Sequence, residues 1–312
     1  MRLDWFKKKT KEPGWMVIGV GADRLDLVHG SFVAAGKPQI FQFATRESTA
    51  SDALAKSAHE LALARYECAT LLAPGEYQLL LVDAPNVPRD ELKTAIRWRV
   101  KDLLDYHVDD ATLDVLDIPP PKNAPARGHS MYAVAARNDV VHGYMSRFEE
   151  AGVPLTVIDI PETAQRNIAA LYERDERAVA LLYLGERDAL LTISARGELY
   201  MARRIDIGAV EVAAAGLRDR ADAHERILLE LQRSLDHFER QFSAIAIGRM
   251  MVGPEEEESG LASHLERNLG MPVATVRLAE VLDIPGGEMA RDAEWRLFHL
   301  VGAALRHEAA AL

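Results

Sequence analysis

Only one cysteine, Cys68, stands among the 312 residues. An intramolecular disulfide and a cysteine-rich metal site are therefore excluded, and a reducing compartment is the simplest home. A lone thiol behaves as a small hydrophobe, so Cys68 is expected in the core. No apolar run approaches the roughly 18 to 20 residues that cross a bilayer. The most continuous one, Ala178 to Leu184, has the length of a strand, and a soluble chain is expected. Basic charge is also in deficit: 37 Lys and Arg face 48 Asp and Glu, a formal net charge of -11 at pH 7. Non-specific nucleic-acid binding needs clustered cations that carboxylates do not outnumber, so nucleic acid is excluded as a partner and basic or apolar partners are favoured. Catalytic signatures are missing as well. There is no P-loop, no Gly-x-Ser-x-Gly elbow, no Cys/His pair and no His-Glu-x-x-His. His29, His107, His129, His142, His237, His299 and His307 are scattered without ligand spacing.

What is present is enough apolar content, 48%, to bury ordinary cores over one duplicated domain or two. The start, Met1 to Lys11, carries Trp5 and Phe6 before Lys7, Lys8 and Lys9 but lacks the apolar centre of a secretory signal. It reads either as a frayed basic end or as a tether to an anionic membrane surface. Two distant segments then share one build of strand, Gly turn, strand, Gly turn, strand. The first runs Trp15 to Gly21, Leu25 to Val28, Gly36 and Ile40 to Phe43; the second runs Val179 to Leu184, Gly185, Ala189 to Ile193, Gly197 and Leu199 to Ala202. Helical periodicity follows each, over Ala53 to Leu72 in one half and over Ala209 to Leu217 and Ile227 to Phe242 in the other. This predicts a duplicated α/β fold with a cleft between its halves. Between them lies a block with strands at Leu79 to Val82, Leu113 to Ile118, Met131 to Ala135 and Thr156 to Ile158, helices at Asp90 to Tyr106 and Asp139 to Ala151, and a proline-rich loop from Pro119 to Gly128. The expected division is 1–78 for the first part of lobe 1, 79–165 for an inserted α/β subdomain, and 166–312 for the second lobe with a C-terminal return helix.

Several strings in this order resemble the actin-like PilM family of type IV pilus assembly proteins, and more closely the MshI proteins of mannose-sensitive haemagglutinin (MSHA) pili. They are Ala95-Ile96-Arg97-Trp98-Arg99 through Leu103-Leu104-Asp105-Tyr106, Tyr132 to Asp139, Gly152 to Leu155 with Val157 to Ile160, Arg203-Arg204-Ile205-Asp206-Ile207-Gly208, Leu231 to Gln241 and Leu297 to Arg306. The resemblance spans nearly the whole chain and implies a duplicated actin-like, ribonuclease H-like fold whose inserted subdomain relates it to the division protein FtsA. It further implies an interlobe ATP cleft and a groove at the insert that takes the cytoplasmic N-terminus of a PilN-like or MSHA inner-membrane protein, among other pilus assembly proteins. The chain would then be peripheral to the inner membrane, on its cytoplasmic side.

The resemblance also names the cleft positions. Each hairpin turn would offer backbone N–H groups to phosphates, with an Asp two residues before the turn glycine to hold Mg²⁺. Gly21 and Gly185 are in place, but the Asp positions hold Gly19, or Gly21 itself in a shifted register, and Tyr183. Hydrolysis should be lost or very slow without those acids. Asp23, Asp188 and Asp206 are the nearby carboxylates, Asp206 reading as a cap or turn residue. The adenosine turn reduces to Val252-Gly253-Pro254 before Glu255 to Glu258, and Gly302 matches a small residue near the adenine, although packing explains it equally well. No cofactor is required, and residual ATP or ADP binding without turnover is left open. At the insert, Leu92, Ala95, Ile96, Val100, Leu103 and Leu104 share a helical face and should be core. Trp98 projects from the other face, either as a docking anchor or packed on the adjoining subdomain. The expectation is a non-enzymatic scaffold. An active actin-fold ATPase or small-molecule kinase, and the cytoplasmic part of a type II secretion assembly protein, are the alternatives.

Overall fold

The computed structural model describes residues 11–33, 36–47, 53–88, 91–119, 130–213, 216–253 and 259–307. The aromatic and lysine-rich start up to residue 10, the proline loop beyond Pro119, His129 and the carboxylate run 255–258 lie outside the described residues.

The first half runs β1 (Trp15–Val20), β2 (Arg24–Ser31), β3 (Gln39–Glu47), α1 (Ala53–Glu60), β4 (Glu67–Leu71), β5 (Tyr77–Asp83), α2 (Leu92–Val100), β6 (Ala111–Asp117), β7 (Ser130–Arg137), α3 (Asn138–Glu150), β8 (Leu155–Asp159) and α4 (Pro161–Ala170). The second half runs β9 (Ala178–Leu184), β10 (Ala189–Ala195), β11 (Glu198–Ile205), α5 (Ala209–Val212), α6 (Leu217–Gln241), β12 (Ile247–Val252), α7 (Leu261–Leu269), β13 (Val273–Thr275), α8 (Leu278–Val281) and α9 (Arg291–Ala304).

Two five-stranded sheets have one topology, β3-β2-β1-β4-β8 and β11-β10-β9-β12-β13. In each, an antiparallel meander is extended by two parallel strands. Val20 pairs with Leu25 and Leu184 with Ala189, so both first hairpins close over a four-residue turn that opens with Gly21 or Gly185. The duplication expected from the glycine layout is thus present in the register itself.

Three boundaries differ from the sequence reading. The helical stretch 53–72 stops early: Ala62 adopts a left-handed φ of 51°, and Glu67–Leu71 is a central strand beside β1. Only Tyr77–Arg137 of the 79–165 block builds the three-stranded sheet β5-β7-β6, whereas β8 pairs with β4 in the first large sheet. The chain therefore returns to the first lobe at α3 rather than near 165. Helix α2 ends at Val100 instead of Tyr106, and Leu103, expected in the core, is 53% exposed.

The base of the molecule is a shared core. Val17 and Val28 of the first sheet join Val179 and Leu181 of the second through Ile168 on α4 and Phe298 and Val301 on α9. Pro161 opens α4 at its first turn, where no amide donor is needed. The insert packs one sheet face on α2, through Val82, Val115 and Met131 against Ile96 and Val100. From its other face Tyr132 reaches the second lobe and donates to the Tyr200 carbonyl at 3.3 Å. Cys68 is fully buried as expected, and burial followed by the Glu67 charge pushes its thiol up to about 12.

Candidate functional site

The strands that lead into the two turns, β1 and β9, both meet helix α9. A Cβ on Gly19 would lie 3.2 Å from the Leu300 side chain, so β1 approaches the helix closely. At the matching place in the second lobe, Tyr183 stacks on Phe298 with ring centroids 5.0 Å apart and lies 4.3 Å from His299. Its hydroxyl donates to the Trp295 carbonyl at 3.2 Å, and Trp295 Nε1 donates to the Leu184 carbonyl at 2.6 Å. Burial, then the Asp188 charge, raises the Tyr183 phenol, which stays neutral. The first turn is exposed and closed by Gly21 N–H to the Arg24 carbonyl at 2.9 Å. At the second, the Ala209 and Val210 amides donate to the carbonyls of Gly185 and Glu186, and Gly208 approaches so closely that a Cβ there would lie 2.5 Å from the Arg187 nitrogen.

Carboxylates do reach this region, from positions other than those expected, and arginines hold them. Asp26 on β2 accepts from Thr45 at 2.5 Å and faces Arg296 of α9 at 3.5 Å. Asp188 in the second turn and Glu162 at the start of α4 both bind Arg204, each at 3.1 Å. Tyr77, in the first strand of the insert, donates to Glu162 and accepts from Arg204 at 3.0 Å. Burial opposes the Arg204 charge, but Tyr77 and Glu162 outweigh it and hold the guanidinium above its ordinary range. The Tyr77 phenol is raised by burial and by the Glu162 charge. Next to this group, Gln165 donates to the carbonyls of Leu181 and Leu190 and to Thr192, which leaves its Oε1 to accept from His299 Nε2 at 3.2 Å. Burial and the Arg204 charge draw the His299 pKa down to about 3, so the ring is neutral.

Neither family models nor curated proteins match the sequence. Among solved structures, a chain from the "PilM-PilN type IV pilus biogenesis complex" superposes with a TM-score of 0.67 at 20% identity, over 93% of this chain and 97% of that one. The cytoplasmic domain of EpsL, an inner-membrane component of the Vibrio cholerae type II secretion system, gives 0.47 at 13% identity over 78% and 83%. A protein of actin-like ATPase fold from Bacteroides thetaiotaomicron gives 0.49 at 9% identity over 88% and 94%. The chain has the duplicated actin-like fold.

Within that fold, Gly19 and Tyr183 occupy equivalent places two residues before the turns, and neither supplies a carboxylate to a metal-bound nucleotide. The donors offered there are backbone groups, while Asp26, Asp188 and Glu162 face guanidinium. Gly253, with a φ of 148°, follows β12 and donates to the Leu182 carbonyl at 2.9 Å. Gly302 belongs to the α4–α9 crossing: a Cβ would lie 2.2 Å from the Ala164 carbonyl oxygen. Trp98 is 71% exposed on α2, with Lys101 Nζ 5.9 Å from its ring centroid, so it is not packed on an adjoining subdomain. Glu162, Arg204, Tyr77 and Arg296 were not nominated by sequence. The one signal for them was the Arg203-Arg204 doublet closing a strand.

Proposed function

We propose that this chain is a non-enzymatic scaffold of type IV pilus assembly, of the MSHA type, stationed on the cytoplasmic face of the inner membrane. Its insert holds the cytoplasmic tail of a PilN-like membrane protein, and its nucleotide cleft is degenerate, retaining at most ATP or ADP binding without turnover. The observation that carries the reading is Trp98. An indole 71% exposed on a folded helix is a large apolar surface with one donor, the composition of a docking anchor. The exposed side chains around it are of both signs, Arg99 and Lys101 beside the ring and Asp102 and Asp105 just past the helix, with the apolar Leu103 among them, so the surface suits the apolar part of a tail. Two further observations support it. Asp26, Asp188 and Glu162 are paired with arginine, and the fold matches a chain of a PilM-PilN complex along 93% of its length. Among the described residues no helix is long and apolar enough to cross a membrane, which is consistent with a peripheral role served through a partner's anchor.

A tail that orders on docking loses conformational entropy, so affinity on the order of micromolar is expected, concentrated in one or two anchors. Fluorescence anisotropy with labelled peptides from the cytoplasmic tails of pilus inner-membrane proteins tests this directly. Saturable binding to the wild type that weakens in Trp98→Ala supports the assignment. No binding by any such tail would reject the scaffold reading.

A further inference from the structure

The first sheet has two unlike ends. One carries the turn headed by Gly21. At the other, the pairings of Trp15 with Gly30, Ser31 with Gln39 and Trp15 with Glu67 gather the entry to β1, the end of β2 and the beginnings of β3 and β4. The chain enters there on a fixed path. Glu12 N–H donates to the Arg65 carbonyl at 2.8 Å, and His29 Nε2 donates to the Pro13 carbonyl at 2.9 Å. The acids at the entry are already held by cations, Glu67 by Lys11 and Glu12 by Arg65. Two phenyl rings are exposed at this end, each at 39%: Phe41, with its ring 4.7 Å from that of His29, and Phe32, stacked on His307 at 4.6 Å. Lys37, between them in sequence, is exposed as well.

Upstream of Lys11 the sequence concentrates what a bilayer interface takes. Trp5 and Phe6 precede Lys7, Lys8 and Lys9, and Arg2 adds a cation against the lone acid Asp4, in a chain whose formal net charge is -11. Indole and phenyl rings settle at headgroup depth, and clustered lysines are attracted by anionic headgroups. Trp5 is separated from Lys11 by at most about 22 Å of extended chain, which keeps it within reach of the end that carries Phe41 and Phe32.

We propose that this end of the first sheet is a membrane-contact surface, where Trp5, Phe6, Lys7, Lys8 and Lys9 bind an anionic lipid surface and Phe41 and Phe32 rest against it. Two signals are needed, because a few rings partition weakly and a few lysines are held only by screened charge. Together they give a reversible attachment. The acid excess of the rest of the chain opposes a broader contact, so the body does not lie flat on the lipid. The inference goes beyond the scaffold reading, since this contact is separate from Trp98 and stands whether or not a partner tail docks on the insert.

Vesicle flotation of the full chain, with no partner peptide present, tests this. The wild type should float with vesicles of phosphatidylcholine containing one third phosphatidylglycerol and stay behind with phosphatidylcholine alone. It should be released in about 1 M salt, where the screening length shrinks to about 3 Å. Lys7→Glu, Lys8→Glu and Lys9→Glu combined should lower the partition coefficient by about 100-fold or more, at roughly fivefold for each cation removed. Trp5→Ala with Phe6→Ala should lower it at least severalfold, and so should Phe41→Ser, with denaturation midpoints to show that each variant is folded. The proposal is overturned if the wild type does not bind the anionic vesicles, if it binds phosphatidylcholine alone as tightly, or if the lysine variant binds as the wild type does. A folded Phe41→Ser that partitions like the wild type overturns the part given to the sheet end.

Discussion

Two side chains separate exposure from burial most sharply. Trp98 contributes little to the core, being 71% exposed, so Trp98→Ala should change folding stability by no more than about 0.5 kcal/mol. As an anchor, its loss should weaken tail binding by roughly 1 kcal/mol or more. Denaturation and anisotropy on the same protein measure both, and lost stability with intact binding would reverse the assignment. His299 is the opposite case, a ring whose pKa is drawn from 6.5 down to about 3 by burial and by Arg204. Above pH 6.5 it is neutral in folded and unfolded chains alike and adds no pH dependence. As pH falls from 6.5 toward 3, the unfolded chain takes up a proton that the folded one refuses, so stability is lost through that window. His299→Gln keeps a side-chain donor for Gln165 but cannot titrate. Its urea midpoint should therefore fall less than the wild type's between neutral pH and about pH 5. Equal falls would show that His299 is not the group responsible.

At the scale of elements, the tightest constraint is the crossing of α4 and α9. A Cβ on Gly302 would meet the Ala164 carbonyl oxygen at 2.2 Å, and backbone cannot step aside as a flexible side chain can. Gly302→Ala should therefore separate the helices and destabilise the chain by about 1–3 kcal/mol or more, read from its denaturation midpoint. A neutral substitution would mean that the crossing is looser than this geometry. Gly302 also shows where sequence reading stops. Its smallness was visible, but whether it faced adenine or a helix depended on residue 164, far away in the chain. The meanders were legible because alternating apolar runs and turn glycines are local signals, and Gly21 and Gly185 head matching turns. Strand β4 was not, because Ala-rich residues run up to it and the break falls on Ala62, a left-handed residue without a glycine to announce it. The Arg204 contacts were invisible for a stronger reason. Arg204 meets Glu162 across 42 residues and Tyr77 across 127, and no periodicity encodes such a meeting.

For the whole molecule, the electrostatics of the cleft decide whether the actin-like fold retains actin-like chemistry. Phosphoryl transfer concentrates negative charge that a divalent cation must neutralise, and the protein's part is to hold that cation on free carboxylates. Here Glu162 and Asp188 are held by Arg204 at 3.1 Å, and Asp26 faces Arg296 at 3.5 Å. A cation would have to displace an arginine at each, and the two places where the resemblance read from the sequence implies an aspartate hold Gly19 and Tyr183. Tyr183 is itself fixed by Phe298 and the Trp295 carbonyl, so it cannot swing aside to admit a water-bound metal without breaking its contacts with α9. Phosphate release from ATP or GTP with Mg²⁺ should therefore stay at the blank rate in a steady-state assay. Gly185→Val supplies the control, because a Cβ at that turn would lie 2.8 Å from the Asp188 carbonyl oxygen and must distort the loop. Turnover clearly above blank that disappears in Gly185→Val would place a working phosphate site at the second turn, and the reading of a cleft neutralised by its own arginines would fail.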